Sequence, residues 1–337
     1  MNNGSHADMG DDARLPGLIP PADGALPPLI ARARAGPPLS VAVVHPCVPA
    51  SIAALAAIHD SPLGASLEAL IVAPQAKVQA VAAAAGVDLA RWMIDDVPHS
   101  HAAATRAVEL AAAGRVGALM KGSLHTDELM EAVVAAGSGL RTGKRISHCF
   151  LIETPAYPRP FILTDAAVDI APDLAQNAID VAHALGVPRS RVAVLCAVET
   201  VNPAMRSTLD AAASAKMAER GQLTDALVDG PLAFDNAVSR RIALDKGIES
   251  PVAGRADILV VPDIEAGNML AKQLEYLGSA ASAGVVAGAR ADRADEPRQW
   301  CGRQAGFVRA CRAACQRPPR IALACLMKVK RAGMAVS

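Results

Sequence analysis

Residues 116–136 read VGALMKGSLHTDELMEAVVAA. The first five, Val116 to Met120, form a continuous apolar run too short for a helix and suited to a strand buried on both faces. Lys121-Gly122-Ser123-Leu124-His125-Thr126 then turns into a segment of helical length, Asp127 to Ala136, for which Thr126 or Ser123 is the expected N-cap. The same unit recurs along the chain. Ser40 to Val44, the end of Ala65 to Ala73, Phe161 to Thr164, Val192 to Val198 and Ile258 to Val261 read as strands. Pro49 to His59, Gln75 to Ala85, Ser100 to Ala113 and Ala171 to Leu185 read as helices. Strands that are apolar throughout and spaced by helices build βαβ units, so an α/β fold with mostly parallel sheets covered by helices is expected.

In such sheets polar chemistry gathers in the loops at the strand carboxyl ends. Five loops qualify and are expected to line one cleft. In Lys121-Gly122-Ser123, glycine permits close backbone approach, while lysine and the helix start favour an anion. Thr164-Asp165-Ala166-Ala167 sets a carboxylate at a strand end, where it can act as a base or orient a ligand. Glu199-Thr200-Val201-Asn202-Pro203 is the third. Asp229 to Asp235 is the fourth, its Asp-Gly-Pro reading as a tight turn. In the fifth, Pro262 to Asn268, an acidic stretch passes through Gly267 into a helix carrying Lys272.

The chain has 337 residues, room for about two domains. Apolar residues make up 52% and aromatics 2%, so the core must come from Ala, Val, Leu and Ile. A formal net charge of zero gives no pull toward nucleic acid or an acidic membrane. No apolar run reaches the roughly 18 residues of a membrane span. Residues 1–39 begin polar and acidic, lack a signal-peptide stretch and read as a disordered leader. Seven irregularly spaced cysteines suit free thiols in a reducing cytoplasm.

Several patterns fail their own requirements. Ser138 to Arg145 resembles a P-loop but has Ser where Gly must begin it and Arg where Ser or Thr must end it. No G-x-G-x-x-G follows a strand. Cys311 and Cys315 have no nearby histidine to complete a zinc site. His99, His101 and His183 read as surface or internally satisfied histidines.

Taken together, MKGSLHTDELMEAVV, LRTGKRISHCFLIETP, FILTDAAVDIAPDLAQNAIDVAHALG, VDGPLAFDNAVSRRIALDKGIESPVAGRADILVVPDIEAGNMLAKQLEYL and AGVVAGAR resemble the phosphate acetyltransferase/phosphate butyryltransferase family. The resemblance runs from about Val41 to Arg290, is most specific from Asp229 to Gly288, and leans toward the butyryltransferase-like branch. It implies a two-domain fold of the isocitrate/isopropylmalate dehydrogenase type. Residues 40–150 plus 284–290 would form a discontinuous first domain, with 151–283 inserted as the second. It also implies a homodimer and the reaction acyl-CoA + phosphate ⇌ acyl phosphate + CoA, with acetyl or butyryl as the acyl group. Coenzyme A would enter as a substrate, with no metal or bound cofactor and no nucleic-acid or membrane partner. Lys121, Gly122, Ser123, Thr164, Asp165, Asp229, Asp263, Gly267 and Asn268 would contact substrate, and no catalytic base is assigned. Two other readings stay open. One is an NAD-dependent hydroxy-acid dehydrogenase on the related fold, with Asp229, Asp263 and Glu265 as metal ligands. The other is an inactive CoA-binding remnant whose basic tail meets a partner.

The pattern breaks after residue 290. Arg290 to Ser337 holds eleven Lys+Arg against three Asp+Glu, and four of the seven cysteines. The resemblance implies a strand and loop near Pro-Ile-Val-Leu-Thr-Ser-Arg at this point, with Ser and Arg on phosphate. The chain instead reads Ala291-Asp292-Arg293-Ala294-Asp295-Glu296-Pro297-Arg298. The codons GCC GAT CGT GCT GAC GAG CCG CGG encode that octapeptide. Read one base later, they give Pro-Ile-Val-Leu-Thr-Ser-Arg. The expectation is therefore a frameshift near codon 290, in the gene or in its sequencing, with residues 291–337 an aberrant tail. Independent DNA reads across codon 290 test this. A single unambiguous open frame, shared by related genes that carry the same tail, rules it out.

Overall fold

Side chains alternate across each strand, so a strand that is apolar at every position has to be covered twice. In β1 (Leu39–Val44), Ala42 and Val44 pack with helices α3 (Ser100–Ala112) and α4 (Thr126–Val134). Val41 and Val43 pack on the other face with α1 (Pro49–Asp60) and α2 (Gln75–Ala85). The neighbouring strands β2 (Leu67–Ala73) and β4 (Ala118–Lys121) divide their side chains between the same two clusters. The short strand β3 (Met93–Asp96) forms the sheet edge. The structure is a computed structural model describing residues 38–61, 63–165, 172–289 and 322–326, with backbone alone for Asp165, Pro172 and the last five. The expected leader up to residue 37, Ala166 and Ala167, and the tail apart from 322–326 lie outside the described residues.

The second half repeats the arrangement. Its strands are β5 (Ser147–Glu153), β6 (Phe161–Asp165), β7 (Ser190–Leu195), β8 (Ala226–Leu232) and β9 (Ile258–Val261). Ile162, Val192, Val194, Ile258 and Val260 face α5 (Pro172–Leu185) and α6 (Arg206–Glu219). Phe161, Leu163, Ala193, Leu195, Leu259 and Val261 face α7 (Phe234–Val238), α8 (Arg240–Asp245) and α9 (Ile264–Tyr276). With β10 (Ala281–Ala289) and β11 (Ala322–Leu326), the strands form one sheet in the order β3-β2-β1-β4-β11-β10-β5-β6-β9-β7-β8.

Strand direction decides where the loops go. β3, β2, β1, β4 and β11 are mutually parallel, as are β6, β9, β7 and β8. Between the blocks come three antiparallel pairings in succession, β11 with β10, β10 with β5 and β5 with β6. An odd number of reversals leaves the two blocks pointing opposite ways. The loop after β4 and the loops after β6, β7, β8 and β9 therefore open at opposite ends of the sheet.

Two local expectations are corrected. Asp229-Gly230-Pro231 is not a turn but lies inside β8, where the pairing with β7 shifts register between Ala193 and Leu195 and the Gly230–Pro231 peptide is cis. Glycine is required there because a Cβ on Gly230 would sit 2.9 Å from Val194 O. The α4 N-cap is His125, not Thr126 or Ser123, since Thr126 is already helical and Glu128 accepts from His125 N at 3.2 Å.

His148 sits within β5 with its ring centroid 3.9 Å from that of Phe150. Burial lowers its pKa from 6.5 to about 4. Because the folded value is depressed, the contribution to stability is intact above pH 6.5 and is lost as pH falls toward 4. Chemical denaturation at pH 7 and pH 5 should show a loss of about 2 kcal/mol from this group. The loss should shrink by that amount in His148→Phe; an undiminished loss in the variant would assign the pH dependence elsewhere.

Candidate active site

β1 and β4 lie side by side in parallel, with Val44 paired to Lys121, so the turns that follow them meet. Gly122 permits the meeting: its N–H donates to Val44 O at 2.8 Å, and a Cβ there would fall 2.6 Å from that same oxygen. Ser123 closes the junction. Its hydroxyl donates to His45 O at 2.7 Å, accepts from Cys47 N at 3.1 Å and stands 3.3 Å from His45 Nδ1.

His45 follows the last residue of β1 and takes φ 52°, a left-handed backbone that histidine adopts more readily than most residues. Surrounding bonds hold it there. Its N–H donates to Val72 O at 2.8 Å, and its carbonyl accepts from Cys47 N at 2.8 Å and Ser123 N at 2.9 Å as well as from the Ser123 hydroxyl. His45 is 9% exposed. Burial lowers the imidazole pKa, Lys77 on the first turn of α2 lowers it further, and Glu128 on α4 opposes both. Burial also raises the Cys47 thiol, against the pull of Lys77.

Cations flank the junction. Lys121 Nζ donates to Leu124 O at 2.9 Å. Lys77 makes no ion pair among the described residues. Glu128 is engaged elsewhere, accepting from Ser100 Oγ at 3.1 Å and pairing with His101 at 3.3 Å. The carboxyl ends of β1 and β4 thus gather a neutral imidazole, a hydroxyl and two ammonium groups. Such a set can hold a phosphoryl group and move a proton. His99 and His101 have local roles, His99 capping α3 through Ala102 N at 3.2 Å.

Of the expected site residues, Lys121, Gly122 and Ser123 come together here. The others belong to the second parallel block, on β6, β8 and α9. Thr164 is 1% exposed, and its hydroxyl donates to His148 O at 3.2 Å, so it is a core group. Asp165 ends β6 at the far end of the sheet. Asp229 accepts from Gly230 N at 2.8 Å within β8. Asp263 caps α9 through Ala266 N at 2.7 Å, Gly267 is buried against Val261, and Asn268 is exposed on α9. Asp229, Asp263 and Glu265 form no metal-binding group, and no cluster of three or more His, Cys, Asp or Glu occurs among the described residues. The sequence reading passed over His45, Cys47 and Lys77. The signal was available, because His45-Pro46-Cys47 directly follows an apolar strand.

The family profile described as phosphate acetyl/butaryl transferase matches residues 94–293. A protein of Rickettsia prowazekii named phosphate acetyltransferase is 53% identical over 269 residues, covering 78% of this chain and 76% of that protein. A protein of Clostridium acetobutylicum named phosphate butyryltransferase is 39% identical over 243 residues, covering 70% and 81%. Among solved structures, a branched-chain phosphotransacylase from Enterococcus faecalis superposes with TM-score 0.62 at 28% identity, over 74% of this chain and 89% of that one.

Gly122→Ala should push the two turns apart, because backbone rather than a flexible side chain stands in the way. The expected cost is about 1–3 kcal/mol by denaturant unfolding. Unchanged stability would mean that the turns do not need this approach.

Proposed function

The chain belongs to the phosphate acetyl/butaryl transferase family, and from that premise we propose where and how it acts. It exchanges phosphate and coenzyme A on an acyl group, acyl-CoA + phosphate giving acyl phosphate + CoA. The rim formed by β1 and β4 is its reaction site, with Lys121, Gly122, Ser123, Lys77 and His45 around the phosphoryl and thioester groups. One observation carries this placement: the Ser123 hydroxyl joins two strand-end turns, one carrying an imidazole within the field of Lys77 and the other following Lys121. Coenzyme A comes and goes as a substrate. Acetyl is the preferred acyl group, a choice supported by 53% identity to a protein named for acetyl transfer against 39% to one named for butyryl transfer.

A second copy of the chain completes a homodimer, for which exposed Ile264, Met269 and Tyr276 on α9 and Leu244 on α8 offer an apolar surface. Cytoplasmic residence fits three buried free thiols, Cys47, Cys149 and Cys196. No helix among the described residues is long and apolar enough to cross a membrane. The domain division at residues 150 and 284 is kept as part of this reading.

The tail from residue 291 impairs the reaction. The family match ends at residue 293, beside the break in composition. The strand Ala322–Leu326 lies between β4 and β10. Restoring the frame by deleting one base at codon 291 is expected to raise turnover of acyl phosphate with CoA by about 10²-fold or more, with acetyl faster than butyryl. Equal rates before and after repair would show that the tail does no harm. Light scattering on the same preparations reads the dimer, and a monomer mass removes that part of the reading.

A further inference from the structure

Three parallel strands bring four nucleophilic side chains toward the rim. Cys47 follows β1, and Lys121 and Ser123 follow from β4. β2 lies on the other side of β1, with Val72 paired to Val44 and Val72 O accepting from His45 N at 2.8 Å, so the turn after β2 borders the His45 turn. That turn opens α2, and Lys77 stands exposed on the first turn of this helix. The other three nucleophiles are already engaged or sealed. Cys47 is buried and its thiol is raised by burial, so little thiolate exists to react. The Ser123 hydroxyl donates to His45 O and accepts from Cys47 N. Lys121 Nζ donates to Leu124 O. The Lys77 ammonium makes no hydrogen bond or ion pair among the described residues. Asp96, the carboxylate at the start of α2, accepts from Gln75 N at 2.7 Å instead. We propose that Lys77 is a self-acylation site, at which acyl phosphate held on the rim transfers its acyl group to Nζ and so weakens the binding of phosphate. This rests on the acyltransferase reading of the β1–β4 rim.

The step balances with the enzyme's own substrate as the only reagent. The Lys77 ammonium gives one proton to solvent, and the freed nitrogen pair forms the N–C bond to the acyl carbonyl carbon. The C–O bond to phosphate breaks, and its electron pair stays on the phosphate oxygen. That oxygen takes the second proton from nitrogen, leaving a neutral amide and free phosphate. Nothing is oxidised or reduced.

The position makes the modification cheap for the fold and costly for the site. A cation on the first turn of a helix opposes the helix dipole, so α2 loses no support when the charge goes. The rim loses one of its two ammonium groups. The modification consumes the compound the enzyme equilibrates, so it acts as a brake that tightens as acyl phosphate accumulates. Other lysines are guarded by carboxylates: Lys144 by Asp180, Lys216 by Glu219, and Lys246 by Glu199 and Asp235. Lys272 on α9 is exposed and, like Lys77, makes no ion pair among the described residues. It therefore reports how fast an unguarded lysine reacts with acyl phosphate from solution.

The test incubates the full chain with acetyl phosphate and follows acetyl-lysine at each position by peptide mass spectrometry, a readout that does not depend on turnover. Lys77 should be acetylated about tenfold or more faster than Lys272. Inorganic phosphate should slow the labelling of Lys77 and leave that of Lys272 unchanged. Equal rates at the two lysines, or no protection of Lys77 by phosphate, overturns the proposal. The treated wild type, assayed with acetyl-CoA and phosphate, should show KM for phosphate raised about tenfold or more, and untreated Lys77→Gln should match it. Lys77→Arg keeps the charge without the reactive amine, so it should behave alike before and after treatment. A treated Lys77→Arg that slows as much as the wild type assigns the effect to another residue and overturns the proposal. A wild-type chain that exchanges acyl groups but leaves Lys77 unmodified removes this site and leaves the acyltransferase reading standing. A wild-type chain that neither exchanges acyl groups nor is protected by phosphate removes that reading of the rim, and the modification with it.

Discussion

Both faces of β1, β4, β6, β7 and β9 are buried, and that constraint confines the chemistry of the molecule. A polar side chain inside such a strand must find a partner within the core, as Thr164 does with His148 O. Substrates can be met only where the strands stop and backbone groups turn outward. The small side chains of the helices allow this close covering. Ala103, Ala104, Ala107 and Ala111 line one face of α3 and bring it tight against β1 and β2. The core is thus built from many small contacts rather than a few large aromatic ones, and single cavities in it are correspondingly small.

Confinement to strand ends does not by itself say which ends meet. Here the answer lies in β10 and β5, which pair antiparallel over seven residues, from Ala281 with Glu153 to Ala287 with Ser147. They turn one parallel block against the other, so the strands ahead of the acidic loops after β7, β8 and β9 run opposite to β4. Those loops are held together by their own contacts. Lys246 pairs with both Glu199 and Asp235, at 3.4 and 3.1 Å, which ties the loop after β7 to the helix after β8.

The sequence made the parallel blocks legible because their strands are short, apolar and β-branched, as in Ile258–Val261. The connecting strands carried no such signal. Ser147–Glu153 mixes Ser, His and Cys with its apolar residues, and Ala281–Ala289 is mostly Ala and Gly. Met93–Asp96 is half acidic, and Asp229-Gly230-Pro231 has the composition of a turn. In each case tertiary packing overrides local propensity. Direction was illegible for the same reason, since without β5 and β10 the reversals cannot be counted. The site was half legible. Lys121, Gly122 and Ser123 stand out beside a strand, but their partners do not, because His45 lies 78 residues from Ser123 in sequence.

That separation explains why Ser123 is not the helix cap its position suggests. A serine two residues ahead of an N-cap has two uses for its hydroxyl: local bonding to the helix start, or a bond across to another strand. Local bonding is already served by Glu128, which reaches back to His125 N. The hydroxyl is thereby released to span β1 and β4, where it satisfies Cys47 N and His45 O at once. A carboxylate three residues into the helix and a hydroxyl two residues ahead of its cap thus divide the polar groups of one turn between the helix and the neighbouring strand. The geometry of the rim is in this sense set by competition for one hydroxyl group, a competition invisible until both strands are in place.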